Sequence, residues 1–212
     1  MPEINYQPVQ EYIASLVPPR ELELHKMEVY AEENDFPIIG PACGYYCYQL
    51  ARMIDAKSIF ELGSGYGYST AWFAKAVREN GGGIVHHTVW DEELSKRAQN
   101  HLSLLGLADL VHFHNAEAVE TLRQTDGPFD IIFNDIDKDG YPDSLPVTKE
   151  KLRHGGLLII DNMIWHGQAL DPNDHESTTE AIRRFTRDIT TDLDWIVSLI
   201  PMRDGMIVAY KK

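Results

Sequence analysis

From residue 57 onward the chain alternates short β-rich runs with segments of helical spacing, and that rhythm leaves few folds open. The runs are 58–62 (Ser-Ile-Phe-Glu-Leu), 83–89, 110–113, 129–133 and 156–160 (Gly-Leu-Leu-Ile-Ile). Helices are expected near 68–79, 91–105, 116–124, 142–153 and 176–190. A helix between consecutive strands is the crossover that parallel pairing requires, so a mostly parallel sheet with helices on both faces is expected. The end breaks the rhythm. Runs 195–200 and 206–210 are separated only by Pro201-Met-Arg-Asp-Gly205, too short for a crossover. They must pair as an antiparallel hairpin, giving seven strands with one reversed strand at the sheet's end.

Before residue 57 the spacing is helical, with Tyr12, Ile13 and Leu16 in one piece and Tyr45, Tyr46, Tyr48, Leu50 and Ile54 in a later one. Pro18-Pro19, Pro37 and Pro41 punctuate these pieces. No repeat or Ser/Gly linker interrupts the 212 residues. One domain over 39–212, preceded by a helical extension over 1–38, is therefore expected. The net charge of −14 weighs against a protein that grips a phosphate backbone, which needs clustered Lys and Arg. No apolar run approaches the ~20 residues of a membrane span. The start, Met1-Pro-Glu-Ile-Asn5, lacks the basic and apolar regions of a signal peptide. A cytoplasmic protein without a membrane partner is expected.

Glu61-Leu-Gly-Ser-Gly-Tyr-Gly67 lies directly after the first β-run and directly before a helix. Gly63, Gly65 and Gly67 permit a tight turn and close approach of the backbone to a ligand. A plain βα turn is the simplest reading. A dinucleotide loop would need G-x-G-x-x-G, and here Tyr68 stands where its last glycine should fall. A cationic ligand such as S-adenosylmethionine would instead be served by the carboxylate of Glu61 at the strand end. Two further polar clusters follow later strands: Asn134-Asp-Ile-Asp-Lys-Asp-Gly-Tyr141 after 129–133, and Asp161-Asn162 after 156–160. Both fall on the glycine loop's edge of a parallel sheet. Their carboxylate and amide oxygens suit a hard cation such as Mg²⁺, Ca²⁺ or Mn²⁺, with polar turns and helix caps as the plain alternative.

The stretch Glu61–Thr70 resembles the first motif of class I methyltransferases. More narrowly it is similar to the caffeoyl-CoA and catechol O-methyltransferase group, whose pattern E-x-G-x-x-x-G-Y-S it matches. The terminal hairpin and the motifs at 133–141 and 161–165 extend the resemblance over 39–212. It implies a Rossmann-like domain that binds S-adenosylmethionine through Glu61, Gly63, Ser64, Gly65, Gly67, Tyr68, Ser69 and Asp135. It further implies a divalent metal on Asp135, Asp161 and Asn162, and Lys138 as the base that deprotonates the hydroxyl being methylated. A metal held by two vicinal oxygens would lower a phenol's pKa and fix its orientation. Asp137 is a candidate additional ligand, and Tyr141 reads as packing.

The resemblance weakens after the second strand, where the family's acidic ribose-binding residue is expected and Trp90 stands instead. Either Asp91 takes the role or Trp90 stacks nearby. Ala116 and Glu117 replace the family's usual adenine-side residues and are expected to line that pocket. Trp165 reads either as an aromatic wall for the acceptor or as packing under a loop, and His166 as solvated. Cys43 and Cys47, at i and i+4, are poor evidence for zinc. His86 and His87 must face opposite sides of a strand and read as structural.

The leading expectation is metal-assisted O-methylation of a small phenolic or catechol acceptor by a homodimeric enzyme. Arg20, Lys26 and Arg183-Arg184 keep methylation of a modified RNA base as an alternative. The altered positions 90, 116 and 117 keep a non-catalytic cofactor-binding scaffold, and an NAD-dependent oxidoreductase ranks fourth.

Overall fold

The structure is a computed structural model that describes residues 6–212. Helices α1 (Tyr6–Ser15), α2 (Leu22–Glu33) and α3 (Gly40–Met53) lead into a strand–helix alternation. Its first half comprises β1 (Ser58–Leu62), α4 (Tyr68–Glu79), β2 (Ile84–Thr88), α5 (Glu92–Leu104) and β3 (Val111–His114). Its second half comprises α6 (Ala118–Gln124), β4 (Phe129–Asn134), α7 (Tyr141–Lys151), β5 (Leu152–Ile160) and α8 (Ser177–Thr191). The chain closes with β6 (Trp195–Ile200) and β7 (Met206–Lys211). The strands form one seven-stranded sheet in the order β3-β2-β1-β4-β5-β7-β6.

Every pair through β5 is parallel, and β7 runs antiparallel to both of its neighbours. The reversed strand therefore does not sit at the sheet's end as expected. The connection from β5 through α8 skips one position before laying down β6. The hairpin then returns the chain into the gap, and β6 becomes the edge. A second departure is the length of β5, which begins at Leu152 rather than 156 and accommodates a register irregularity opposite Phe129–Ile131.

The strands are apolar along their whole length because both faces are covered. Ile59, Ile131, Phe133, Leu157 and Ile159 point into a core shared with α3 and α4. Phe60, Leu62, Ile132, Leu158 and Ile160 point into the other, closed by α6, α7 and α8. Leu24, Met27 and Ala31 of α2 are buried in the first of these cores, so this helix packs on the sheet domain. Pro41 stands in the first turn of α3, where its missing N–H costs nothing. The two cysteines of α3 are buried free thiols, and burial pushes Cys43 up to about 12; both pack as small apolar groups. His86 and His87 do face opposite ways. His86 stacks on Phe60 and His114, while His87 pairs with the Thr70 hydroxyl at 2.9 Å. Among the described residues, no helix is long and apolar enough to cross a membrane.

Candidate active site

The carboxyl ends of β1, β2, β4 and β5 open onto one cavity of about 980 Å³, large enough for a nucleoside-sized ligand with a small second molecule. At its floor the glycine loop turns between β1 and α4. Gly63 has φ +81, and a Cβ there would stand 2.6 Å from the Asp135 carbonyl oxygen, so only glycine lets β1 and β4 approach this closely. Ser64 N–H donates to Thr88 O at 2.8 Å and Thr88 N–H to Ser64 Oγ at 3.0 Å, which locks the loop to the end of β2. Gly65 and Ser69 line the cavity.

Gly67 does not line it. Its φ of +91 begins α4, and its α-carbon faces Ala98 and Leu102 of α5 so closely that a Cβ would meet both; its role is packing. Tyr68 reaches the cavity wall, but its hydroxyl donates to Glu28 Oε1 at 2.7 Å, so it ties α4 to α2 rather than offering a hydrogen bond to a ligand. Glu61 lies directly behind the loop, fully buried, with neither carboxylate oxygen accepting a hydrogen bond of normal geometry. Burial pushes its acid up to about 7, against the opposing pull of the Ser69, Thr70 and Ser64 hydroxyls.

On the β2 and β3 side, Trp90, Asp91, Ala116 and Glu117 all border the cavity. Both carboxylates are helix N-caps, standing just before α5 and α6 rather than within them. Asp91 Oδ1 accepts from Glu93 N–H at 2.8 Å and Leu94 N–H at 3.0 Å. Glu117 uses both oxygens on Val119 and Glu120 N–H. Trp90 is 72% exposed and stands at the rim.

The other half of the cavity gathers the second set. Asp135 Oδ1 accepts from Lys138 Nζ at 2.8 Å, and the same Nζ donates to Ile136 O at 3.1 Å. Lys138 is almost buried and lies 5.9 Å from the centre of the Trp165 ring. Asp161 is fully buried below this point; Arg203 Nη1 donates to its Oδ2 at 3.3 Å, while Oδ1 has no partner. Burial and the charge of Asp135 hold Asp161 well above the usual carboxylate range, with Arg203 pulling the other way. Asn162 takes a left-handed backbone (φ 59) and its Nδ2 donates to Asp204 Oδ2 at 3.2 Å. Asp137 also lines the cavity, and Tyr141 donates its hydroxyl to Asp161 O at 2.9 Å from a fully buried position. Trp165 and His166 are on the wall, and His166 is largely solvated.

An acceptor wall from the N-terminal extension and the 165–180 loop is what the sequence suggests, and Phe36, Pro37 and Ile38, with Ile39, do close the cavity from the α2–α3 link. The contribution that sequence reasoning missed is the β6–β7 turn, which brings Arg203 and Asp204 to Asp161 and Asn162. The hairpin signal was present at 195–210, but nothing local in it says where its turn will dock.

The sequence profile of the O-methyltransferase family matches residues 19–212. A catechol O-methyltransferase of Niastella koreensis is 32% identical, with the alignment covering 98% of each chain. Among solved structures, the O-methyltransferase TomG of Streptomyces achromogenes, in complex with SAM, superposes with a TM-score of 0.86 at 26% identity over 97% of this chain and 96% of that one. An O-methyltransferase of Bacillus cereus in complex with SAH gives 0.87 at 25% identity, with 97% of each chain covered. The chain belongs to the O-methyltransferase family of S-adenosylmethionine-dependent enzymes.

Proposed function

We propose that the cavity binds S-adenosylmethionine along the glycine loop and methylates a hydroxyl of a phenolic or catechol acceptor at the Asp135–Lys138–Asp161–Asn162 end. The observation that carries this reading is the meeting, in one cavity, of the glycine loop with an acid–amide–lysine cluster on adjacent strand ends. The cofactor fits what is present. Glu61 is a buried carboxylate whose oxygens accept no hydrogen bond of normal geometry, suited to an ammonium group, and Gly63, Ser64 and Gly65 of the loop line the cavity beside it. Asp91 keeps Oδ2 for a ribose hydroxyl because both of its capping bonds fall on Oδ1. A Mg²⁺, Ca²⁺ or Mn²⁺ ion also fits, since Asp161 Oδ1 is a buried acceptor with nothing to accept. Asp135, Asp161 and Asn162 would hold it.

The cofactor supplies an electrophilic methyl group, and the metal when bound lowers the pKa of the acceptor hydroxyl. The chain's own part is positioning and proton removal. Lys138 Nζ, oriented by Asp135 and Ile136 O, receives the proton of the attacking hydroxyl when it is present as the neutral amine, whose lone pair takes it. Trp165 offers the acceptor ring a flat apolar face beside that nitrogen, and the wall of residues 36–39 keeps water from the reacting atoms. Ile196 and Tyr210 on the edge hairpin are exposed apolar groups, which supports a homodimer through that face; light scattering at twice the 24.1 kDa chain mass would test it.

The cofactor half is checked by calorimetry. S-Adenosylhomocysteine should bind at micromolar Kd, about −8 kcal/mol, and NAD should not bind. Tight NAD binding with no response to S-adenosylhomocysteine would overturn the reading.

A further inference from the structure

The segment between β5 and α8 forms the least regular part of the cavity wall. Trp165, His166 and Gly167 have φ of 52, 53 and 90, a run of left-handed backbone that persists only where its surroundings hold it. Two side chains from outside brace this run and the residues that follow it. On the near side Asp204 accepts from His166 N–H at 2.6 Å and from Asn162 Nδ2. On the far side stands Arg183 of α8. Its Nε donates to Ala169 O at 3.2 Å, its Nη1 to Asp174 O at 2.6 Å, and its Nη2 to Gln168 O at 3.0 Å and to Asp171 O. Nη1 also meets Glu180 Oε1 at 2.7 Å.

One guanidinium thus gathers four carbonyl oxygens across residues 168–174. Hydrophobic packing anchors only the start of this segment, through Trp165 and Ala169; much of 170–177 is exposed. A planar fork with five donors can satisfy such a set, and a lysine cannot. Arg183 does not itself border the cavity, and none of its bonds reaches the glycine loop or residues 88–91 and 116–117.

We propose that Arg183 is a positioning residue for the acceptor: by tying down residues 168–174 it fixes Trp165 opposite Lys138 and so shapes the acceptor half of the cavity alone. This rests on the reading that places the acceptor against Trp165. The effect is necessarily one-sided, because the cofactor half is built from other elements.

The test compares wild type, Arg183→Lys and Arg183→Ala as full chains with Mg²⁺. Arg183→Lys keeps charge and stem and guards against a variant that fails to fold. Hydrogen exchange of residues 165–174 should quicken about tenfold or more in both variants. The KM for 3,4-dihydroxybenzoate should rise about tenfold or more, while the Kd for S-adenosylhomocysteine stays within about twofold, as for distant independent sites. Added guanidinium should partly restore the acceptor KM of Arg183→Ala, an outcome that a merely weakened fold would not give. Unchanged exchange in 165–174 would overturn the proposal, as would a cofactor Kd that worsens in step with the acceptor KM. The exchange and cofactor measurements need no acceptor. A wild type inactive on catechols would therefore sink the acceptor assignment while exchange still decides whether Arg183 holds the wall.

Discussion

Glu61 is the residue where stability and function pull apart most plainly. Its acid sits at about 7 against an ordinary 4.5, because burial disfavours the charged form. Between those values the native state holds a proton that the unfolded chain has lost. The contribution of Glu61 to stability is therefore complete below about pH 4.5 and is lost as pH rises through about 7. Glu61→Gln removes that loss, so its melting temperature should exceed that of the ligand-free wild type by a growing margin from pH 6 to pH 8. Its affinity for S-adenosylhomocysteine should fall about tenfold or more, as expected when the charged partner of an ammonium is removed. In the wild type, the same affinity should weaken on acidification below about pH 7, because binding then requires Glu61 to release its proton. A pH-independent affinity, with Glu61→Gln binding as tightly as wild type, would remove the residue from the cofactor site. Lys138→Met tests the base. Keeping the stem but removing the nitrogen should cut turnover of 3,4-dihydroxybenzoate by roughly 10²–10⁴-fold and leave cofactor affinity nearly unchanged. Wild-type turnover would reduce Lys138 to an electrostatic neighbour.

At the scale of elements, the packing of α3 on α4 depends on one missing side chain. A Cβ at Gly44 would stand 2.3 Å from Trp72 Nε1, and Trp72 is itself wedged by Tyr45, Tyr48 and Tyr68. Gly44→Ala should therefore lower stability by about 1–3 kcal/mol, as overpacking does, read as a lower urea midpoint at unchanged slope; an unshifted midpoint would show that Trp72 can move. The elements themselves were largely legible in the sequence, because strands buried on both faces are continuous apolar runs and helices carry their own period. Their ends were less so. Asp91 and Glu117 are expected as cofactor contacts, and the structure gives them a second task as well. Asp91 Oδ1 and both oxygens of Glu117 cap the first N–H groups of α5 and α6, while neither capping bond of Asp91 uses its Oδ2. A carboxylate at a strand–helix junction satisfies both descriptions. The insertion of β7 inside the sheet was illegible for a related reason, since hairpin spacing fixes which strands pair but not which side of β5 they take. Arg203 reaches Asp161 across 42 positions of sequence, a contact no local pattern announces. Trp90 borders the cavity from an exposed position at its rim, because β2 ends two residues before it.

Across the whole molecule, the charge of −14 and the acid-rich cavity rim favour cationic ligands, consistent with a sulfonium cofactor and a divalent ion. The metal half of that account makes its own demand. Asp161→Ala should abolish methyl transfer while leaving the S-adenosylhomocysteine Kd within about threefold, because the ion and the cofactor draw on different walls of the cavity. Equal loss of both would mean that Asp161 holds the cavity's shape rather than a cation. The most direct measurement is a single mass-spectrometric assay of 3,4-dihydroxybenzoate with S-adenosylmethionine, run with Mg²⁺, with EDTA, and with EDTA followed by excess Mg²⁺. A product heavier by one methylene should form in the first, vanish in the second and return in the third. Undiminished product in EDTA would contradict the metal's part in the mechanism, and no product in any arm would contradict the assignment of a catechol acceptor.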